Sequence, residues 1–292
     1  MGDETPLWQP SKAQIEATNV SRFMARVAER WDVAVDDFEG LHCWSIARSE
    51  DFWLTVWDEL GVIAEDRGAR IVENRDQMPG ARWFPDARLN FARNLLRRQD
   101  DGLAMVFWGE AEVRRQVSHR ELHDTVSRLA QAMRAAGVRA GDRVAAFLPN
   151  LPETTMAMLA TASIGAIWSS CSPDFGVAGV LDRFGQIEPK LLFVADGYFY
   201  NGRRFETLTK AGEIVSRLPS LIQTVVVPYT EAHAALDGLG AASHLADFIA
   251  PYSAGEIVYE SMPFNAPLYI LYSSGTTGQP KCIVHGAGGT LL

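Results

Sequence analysis

Residues 267–281 read PLYILYSSGTTGQPK, an apolar run that ends in a loop of glycines and short hydroxyl residues before a lysine. The run 267–271 predicts a buried strand. Gly275 and Gly278 let the loop backbone turn tightly and bring its N–H groups close to an anion. Lys281 adds a positive charge where phosphate charge would be neutralised. The stretch therefore predicts a strand followed by a polyphosphate-binding loop.

The predicted phosphate ligands combine backbone N–H groups, hydroxyls and one ammonium group. They are Ser273, Ser274, Gly275, Thr276, Thr277, Gly278 and Lys281. Their spacing is not that of a Walker A motif, because Gln279 and Pro280 separate the second glycine from the lysine. A P-loop kinase or ATPase is therefore disfavoured. An ordinary turn between strands is the plainer alternative, and an ordered pattern of nine positions argues against it.

The composition is that of a globular protein with an acidic balance. The 292 residues are 47% hydrophobic and 22% charged, with a formal net charge of −9, which is enough chain for one large or two medium domains. An acidic chain without a basic block is a poor candidate for binding nucleic acid or an anionic membrane. There is no secretory signal pattern and no apolar run long enough to span a bilayer, so we expect a cytoplasmic protein.

The cysteine pattern excludes two further classes of protein. Cys43, Cys171 and Cys282 are too few for a disulfide framework, and no two of them show zinc-site spacing. We expect buried, reduced thiols and no metal site.

The order of the predicted elements indicates an α/β fold with an N-terminal helical cap. Residues 1–100 form a polar arm, helices after an N-cap at Asn19 and after Ser49, and a turn-rich segment. From 101 to 292, strands alternate with helices of ten to fifteen residues, which predicts a doubly wound, mostly parallel sheet. Ligands bind such sheets at the carboxyl ends of the strands, where the predicted phosphate loop lies.

The individual elements of this second part follow from apolar runs, helical periodicity and a capping box at Ser118 and Glu121. We expect the segment 229–262 to be irregular apart from a short helix near 244–250. Strands are predicted at 104–107, 144–148, 166–169, 191–195, 224–227 and 267–271, with another starting at Cys282, and helices at 118–137, 153–163, 177–187 and 205–218.

Several stretches resemble the adenylate-forming enzymes, the acyl-CoA synthetase and luciferase superfamily. Residues 273–281 match the signature loop of that superfamily, and 83–91, WFPDARLNF, resembles the cap segment of its short-chain members. Residues 168–176, 181–190 and 282–286 (WSSCSPDFG, LDRFGQIEPK and CIVHG) resemble the acetoacetyl-CoA synthetase branch. The resemblance covers nearly the whole chain from about residue 35.

The resemblance implies an AMP-forming acid–CoA ligase whose substrates are acetoacetate, ATP with Mg²⁺, and CoA. It implies no catalytic residue with confidence within these 292 residues. Relatives carry an R-x-G-R stretch near the CoA nucleotide, and the equivalent here is Tyr200-Asn201-Gly202-Arg203. Gly202 and Arg203 match that stretch and are the implied CoA contacts. Tyr200 replaces the first arginine, so a solvated surface role for Arg203 is the alternative.

The family is roughly twice as long, and its acyl pocket, adenine and magnesium contacts and catalytic lysine lie downstream of the phosphate loop. We therefore expect an N-terminal portion of the enzyme that does not turn over alone. Two alternatives stay open. One is an acetyl- or propionyl-CoA synthetase, since the acyl pocket is not part of this sequence. The other is a non-catalytic nucleotide-binding or interaction module, if 292 residues is the native length. The sequence does not predict an oligomeric state.

Overall fold

The computed structural model describes residues 6–110, 114–274 and 278–292. Contacts between Cα atoms divide the chain into two compact units. One comprises Met1–Val62, Ala69–Arg82 and Leu292, and the other Ile63–Gly68 and Trp83–Leu291.

The first elements along the chain are helices, followed by very short strands. They are α1 (Lys12–Glu16), α2 (Asn19–Trp31), α3 (Phe38–Ala47), α4 (Ser49–Glu59), β1 (Ala64–Asp66), β2 (Val72–Glu73), β3 (Arg82–Trp83), β4 (Arg88–Leu89) and α5 (Phe91–Leu95).

The remaining elements alternate between strands and helices along most of their length. They are β5 (Leu103–Trp108), β6 (Arg114–Ser118), α6 (His119–Ala135), β7 (Arg143–Phe147), α7 (Pro152–Ser163), β8 (Ile167–Cys171), α8 (Val177–Ile187), β9 (Leu191–Ala195), β10 (Gly197–Tyr200), β11 (Arg203–Glu206), α9 (Leu208–Ser216), β12 (Gln223–Val227), β13 (Ala242–His244), α10 (Leu245–Ile249), β14 (Met262–Pro263), β15 (Pro267–Tyr272), β16 (Cys282–Gly286) and α11 (Ala287–Leu291).

The first unit is a small helical assembly with its own apolar core. Val27, Leu41 and Trp44 are buried at its centre. The indole N–H of Trp31 on α2 donates to Thr55 Oγ1 on α4 at 2.8 Å, which ties two helices together through a tryptophan.

The start of α2 differs from the sequence-based prediction by one residue. The Thr18 hydroxyl, not Asn19, caps the helix by accepting from the Ser21 N–H at 3.2 Å. Thr18 and Asn19 both carry a side-chain oxygen that can cap a helix. Thr18 is the cap because its backbone is extended, whereas Asn19 is already the first helical residue.

The second unit is built on a seven-stranded sheet in the order β13-β12-β9-β7-β8-β15-β16. Every adjacent pair in this sheet is parallel except the edge pair β15–β16. The predicted mostly parallel sheet is therefore confirmed. Parallel strands need a crossover between them, and α7, α8 and α9 lie between consecutive parallel strands of the chain.

Both faces of the central strands are buried, as a doubly wound sheet requires. On one face, Phe147 and Val194 pack with Phe184 of α8 and Ile214 of α9. The alternate residues Val144, Ala146, Leu191 and Phe193, on the other face, have no exposed surface. This two-sided burial explains why the strand sequences are continuous apolar runs instead of alternating ones.

Two predicted segments are wrong in detail. The helix predicted at 205–218 begins only at Leu208, because residues 203–206 form β11 and pair with β10 in an antiparallel hairpin. Asn201 and Gly202 both have positive φ, 50° and 70°, which is the conformation a two-residue hairpin turn needs. The segment 229–262, predicted as irregular apart from a helix, also contains β13, which pairs with β12 in parallel.

Asn90 links the antiparallel group of β1, β4 and β14 to the carboxyl end of α7 in the same unit. Its side chain is 4% exposed, and its amide donates to the carbonyls of Ala162, Ser163 and Glu260 at 2.9–3.1 Å. Its oxygen accepts the Arg93 N–H and so caps α5.

Across the described ranges, no helix combines the length and the apolar character that crossing a membrane requires.

Candidate nucleotide-binding site

The predicted phosphate loop connects the two strands at one edge of the sheet. β15 lies parallel to β8, and the chain returns antiparallel as β16, with Tyr272 opposite Cys282. The loop is closed at its base by two hydrogen bonds. The Ser273 N–H donates to the Lys281 carbonyl at 3.0 Å, and the Lys281 N–H donates to Ser273 Oγ at 3.1 Å. The first and last predicted phosphate ligands are thus brought together.

The described residues of the loop lie largely at the surface. Ser274, Gly278 and Lys281 are exposed, and Ser273 is half-buried. Gly278 has φ of 143°, a backbone conformation that favours glycine, although a side chain there would meet no neighbour within 4 Å. Gly275, Thr276 and Thr277, which the sequence also assigns to phosphate binding, lie outside the described residues.

The end of the strand that enters the loop packs beside uncharged side chains. The Tyr272 hydroxyl lies 3.0 Å from Oγ of Ser169, which is fully buried on the neighbouring strand β8. Burial raises the pKa of Tyr272, and burial raises the pKa of Cys171 to about 12. Both side chains are therefore uncharged near neutral pH, so Cys171 is not a thiolate nucleophile beneath the loop.

The sequence-based prediction that the thiols are buried is correct only for Cys171. Cys43 and Cys282 are exposed, and all three thiols are free. Cys282 is exposed because it lies on β16, the edge strand, where Ile283 and Val284 are also exposed.

Sequence reasoning missed two side chains of α8 that contact the ends of the loop. The Arg183 guanidinium carbon lies 4.5 Å from the centre of the Phe175 ring and 5.7 Å from that of Tyr272. Gln186 Nε2 donates to the Pro280 carbonyl at 2.9 Å. Both residues lie within the stretch 181–190 noted for its resemblance, but only their spacing of three along a helix hinted at a shared face.

The predicted CoA contacts lie on a different hairpin. Gly202 occupies the turn between β10 and β11, and its N–H faces Glu110 Oε2 at 3.4 Å. Arg203 is exposed and pairs in register with Tyr200.

A buried carboxylate fixes the base of that hairpin, and sequence reasoning missed it. Asp196, 2% exposed, follows β9 and accepts the N–H groups of Tyr229 and Thr230, at 2.6 Å and 3.0 Å, from the end of β12. It also accepts the Thr230 hydroxyl at 2.7 Å. Two parallel strands therefore have their carboxyl ends joined where β10 begins. A lone aspartate after an apolar run was the available signal.

His285 lies on β16 with its ring centre 5.2 Å from that of Tyr269 on β15. It packs against the adjacent strand, so its position is explained by cross-strand contact. Among the described residues, no group of three or more His, Cys, Asp or Glu side chains could hold a metal ion.

The family model described as "AMP-binding enzyme" matches residues 91–291, and the model described as "Acetyl-coenzyme A synthetase N-terminus" matches residues 38–95. Because the first match alone covers more than half of the chain, the chain belongs to the AMP-binding enzyme family. The resemblance seen in the sequence is therefore confirmed.

Individual relatives are similar over the whole chain. Identity is 51% over 293 residues to the acetoacetyl-coenzyme A synthetase of Rhizobium meliloti (strain 1021), covering 100% of this chain and 45% of that protein. The solved structure of acetoacetyl-CoA synthetase from Streptomyces lividans matches with a TM-score of 0.90 at 41% identity, covering 98% of this chain and 44% of that one. A malonamoyl-CoA synthetase of Penicillium aethiopicum is 39% identical over 305 residues, covering 100% of this chain and 42% of that protein. The chain thus spans less than half the length of these relatives.

Proposed function

We propose that the chain supplies the phosphate-binding part of an AMP-forming acid–CoA ligase that acts on acetoacetate. In this proposal residues 1–100 are the arm and cap, and residues 101–292 are the first part of the AMP-binding domain. The observation that carries the proposal is the loop closed by Ser273 and Lys281 at a strand end, in a chain of the AMP-binding family.

The proposed reaction has two steps and takes ATP as its magnesium complex. In the first, a carboxylate oxygen of acetoacetate forms a bond to the α-phosphorus, and the bond to the bridging oxygen of the β-phosphate breaks. The electron pair leaves with pyrophosphate. In the second, the CoA sulfur bonds to the carbonyl carbon, AMP departs, and the thiol proton passes to solvent. Acetoacetyl-CoA, AMP and pyrophosphate are the products.

The loop would act mainly in the first step. Negative charge grows on the departing pyrophosphate, and a positioned ammonium group with backbone N–H and hydroxyl donors stabilises such charge. We assign this role to Lys281 and to Ser273, Ser274, Gly275, Thr276, Thr277 and Gly278. Ser273 Oγ already accepts from the Lys281 N–H, so its own proton remains available for a phosphate oxygen.

CoA would bind near the hairpin of β10 and β11. Arg203 is exposed there, whereas Arg204 is held by Glu231 at 2.8 Å. A guanidinium is suited to bind a phosphate of the CoA nucleotide. Arg203→Ala should weaken CoA binding, and Arg204→Ala is the matched control on the same strand.

The acid is proposed as acetoacetate because the 51% identical relative is named for it. Another relative is named as a malonamoyl-CoA synthetase, so malonamate is the second acid to test. We also propose a cytoplasmic location, where the three free thiols would stay reduced.

The test is acid-dependent exchange of pyrophosphate into ATP, with acetoacetate, malonamate, acetate and propionate. It is run on this chain and on a chimera in which the chain replaces the matching part of the R. meliloti relative, with that relative unmodified as the positive control. We expect exchange by the chimera to be fastest with acetoacetate and the chain alone to be silent.

Lys281→Ala in the chimera should abolish exchange, while Lys210→Ala should not change it. A folded chimera that exchanges no acid, beside an active relative, would overturn the proposal. Exchange fastest with another acid would keep the ligase class and replace the substrate.

A further inference from the structure

We propose that Arg183 and Gln186, which lie about one turn apart on α8, are positioning residues for the phosphate loop. They hold the segments that enter and leave the loop, and so fix the place of Lys281. The inference rests on the proposed function of the loop. We refer to Arg183 and Gln186 together as the α8 brace.

Gln186 contacts both neighbours of Lys281. Its amide nitrogen donates to the Pro280 carbonyl at 2.9 Å, and its amide oxygen lies 3.7 Å from Sγ of Cys282. The residue between these two contacts is the one whose ammonium group the reaction needs. A single side chain therefore contacts the backbone just before Lys281 and the side chain just after it.

Arg183 acts on the other end of the loop. Its guanidinium lies over the rings of Phe175 and Tyr272, and Tyr272 directly precedes Ser273. The guanidinium also donates to the Gly179 carbonyl at 2.7 Å, which fixes its direction along the helix. A cation over an aromatic face is attracted by the ring quadrupole, so Arg183 restrains the ring of Tyr272.

The two residues share one face because they are three apart on a helix. The core face of α8 is formed by Val180, Phe184 and Ile187, which are buried. Arg183 and Gln186 flank this stripe, and their side chains reach the loop strands without being part of the apolar core. The brace therefore connects a helix of the main unit to the two ends of the phosphate loop.

Bracing matters because a ligand that binds a loop must also restrain it, and that restraint costs free energy. A loop held at both ends before ATP arrives loses less freedom on binding. Removing one brace contact should weaken ATP binding and leave the fold of the unit nearly unchanged, since neither side chain belongs to the core.

The experiment compares Gln186→Leu with Gln131→Leu on this chain. Gln131 is a matched control, because on α6 it also donates its amide to a carbonyl 2.8 Å away, that of Ser253. For each variant we would measure the melting temperature, the amide exchange rates at Ser273 and Lys281, and the dissociation constant of MgATP.

For Gln186→Leu we expect amide exchange at the loop ends to be about threefold to tenfold faster, the range that loss of one hydrogen bond supports. The dissociation constant of MgATP should rise by a similar factor. Gln131→Leu should change the melting temperature as much as Gln186→Leu does and alter neither loop readout.

Arg183→Met keeps an unbranched side chain and removes the charge. It should also make amide exchange at Ser273 faster, with Arg183→Lys between it and the wild type. Arg114→Met is its control, since Arg114 lies over Trp108 at 4.8 Å on another hairpin.

Exchange and MgATP affinity within twofold of the wild type in Gln186→Leu would overturn the proposal. Equal loss in Gln131→Leu would also overturn it, because the effect would then be general destabilisation. If the wild-type chain binds no MgATP, the proposed function of the loop fails, and the exchange rates alone still decide whether the brace orders the loop.

Discussion

Removing the carboxylate of Asp196 should loosen the end of the sheet from which the hairpin of β10 and β11 starts. The side chain is 2% exposed and accepts hydrogen bonds from three donors on Tyr229 and Thr230. In Asp196→Ala the two backbone N–H groups and the hydroxyl lose their acceptor, while no donor is removed with the side chain.

The size of the effect follows from those three bonds. Hydrogen bonds to a charged group contribute about 1.5–3 kcal/mol each when buried. Tyr229 and Thr230 are half-buried, so water can replace part of the loss. We expect the free energy of unfolding to fall by about 2–4 kcal/mol, equivalent to a lower melting temperature by about 5–15 °C. Asp196→Asn should lose about half as much, because one oxygen remains and the Thr230 hydroxyl can reverse to accept from the new amide.

The assay is urea unfolding combined with amide hydrogen exchange, which reports on Tyr229 and Thr230 directly. Both amides should exchange faster in Asp196→Ala, and the unfolding midpoint should fall. Glu231→Ala is the control, since it removes an exposed carboxylate paired with Arg204. If Asp196→Ala unfolds within about 0.5 kcal/mol of the wild type, the three bonds do not hold the hairpin base and the reasoning is refuted.

Three further outcomes are expected. In thiol labelling at pH 8, Cys171 should react only after unfolding, while the two exposed cysteines should react in the native chain. Burial raises the pKa of Cys171 to about 12, so the contribution of this thiol to the free energy of unfolding should be complete below the ordinary thiol pKa and lost as the pH rises toward 12. Gly278→Val should keep the fold and weaken MgATP binding at least about tenfold, because a β-branched residue does not readily adopt φ of 143°. The control Gly255→Val, at ordinary φ and with no neighbour near the added side chain, should bind MgATP like the wild type. Asn90→Asp should lower the free energy of unfolding by about 3 kcal/mol or more in urea denaturation, since it sets a carboxylate against three carbonyls; a change below about 1 kcal/mol would contradict that contact.

The parallel sheet was predictable because burial on both faces leaves a simple mark in the sequence. The strands β9 and β12 are almost entirely apolar, and α8 and α9 each have an apolar face toward the sheet. The strand that follows the phosphate loop was predictable from the apolar run that begins at Cys282, although the structure leaves Ile283 and Val284 of this edge strand exposed.

The hairpin of β10 and β11 was missed although its signal was present. Asn201-Gly202 is a strong turn pair, and aromatic residues precede it. The same residues matched a family motif, so the turn was interpreted as part of a loop leading into a helix at Phe205. Strand β13 carries no comparable signal, because a three-residue edge strand depends on a distant partner, β12.

The candidate site divides in the same way. Ser273 and Lys281 could be named from local spacing, and the structure joins them across the loop base. Arg183 and Gln186 could not be assigned a role, because the contact of Gln186 with Pro280 spans 94 positions of sequence. Contacts of that separation depend on how a helix packs on the sheet, which residue patterns within either segment do not record.

The central claim is that this loop binds the phosphates of ATP through Lys281. The most direct test measures the dissociation constant of MgATP for the wild-type chain, Lys281→Ala and Lys210→Ala. The account predicts saturable binding by the wild type, a loss of at least about tenfold in Lys281→Ala, as expected for a charge-assisted contact, and no change in Lys210→Ala. Equal affinity in all three proteins, or no binding by the wild type, would contradict it.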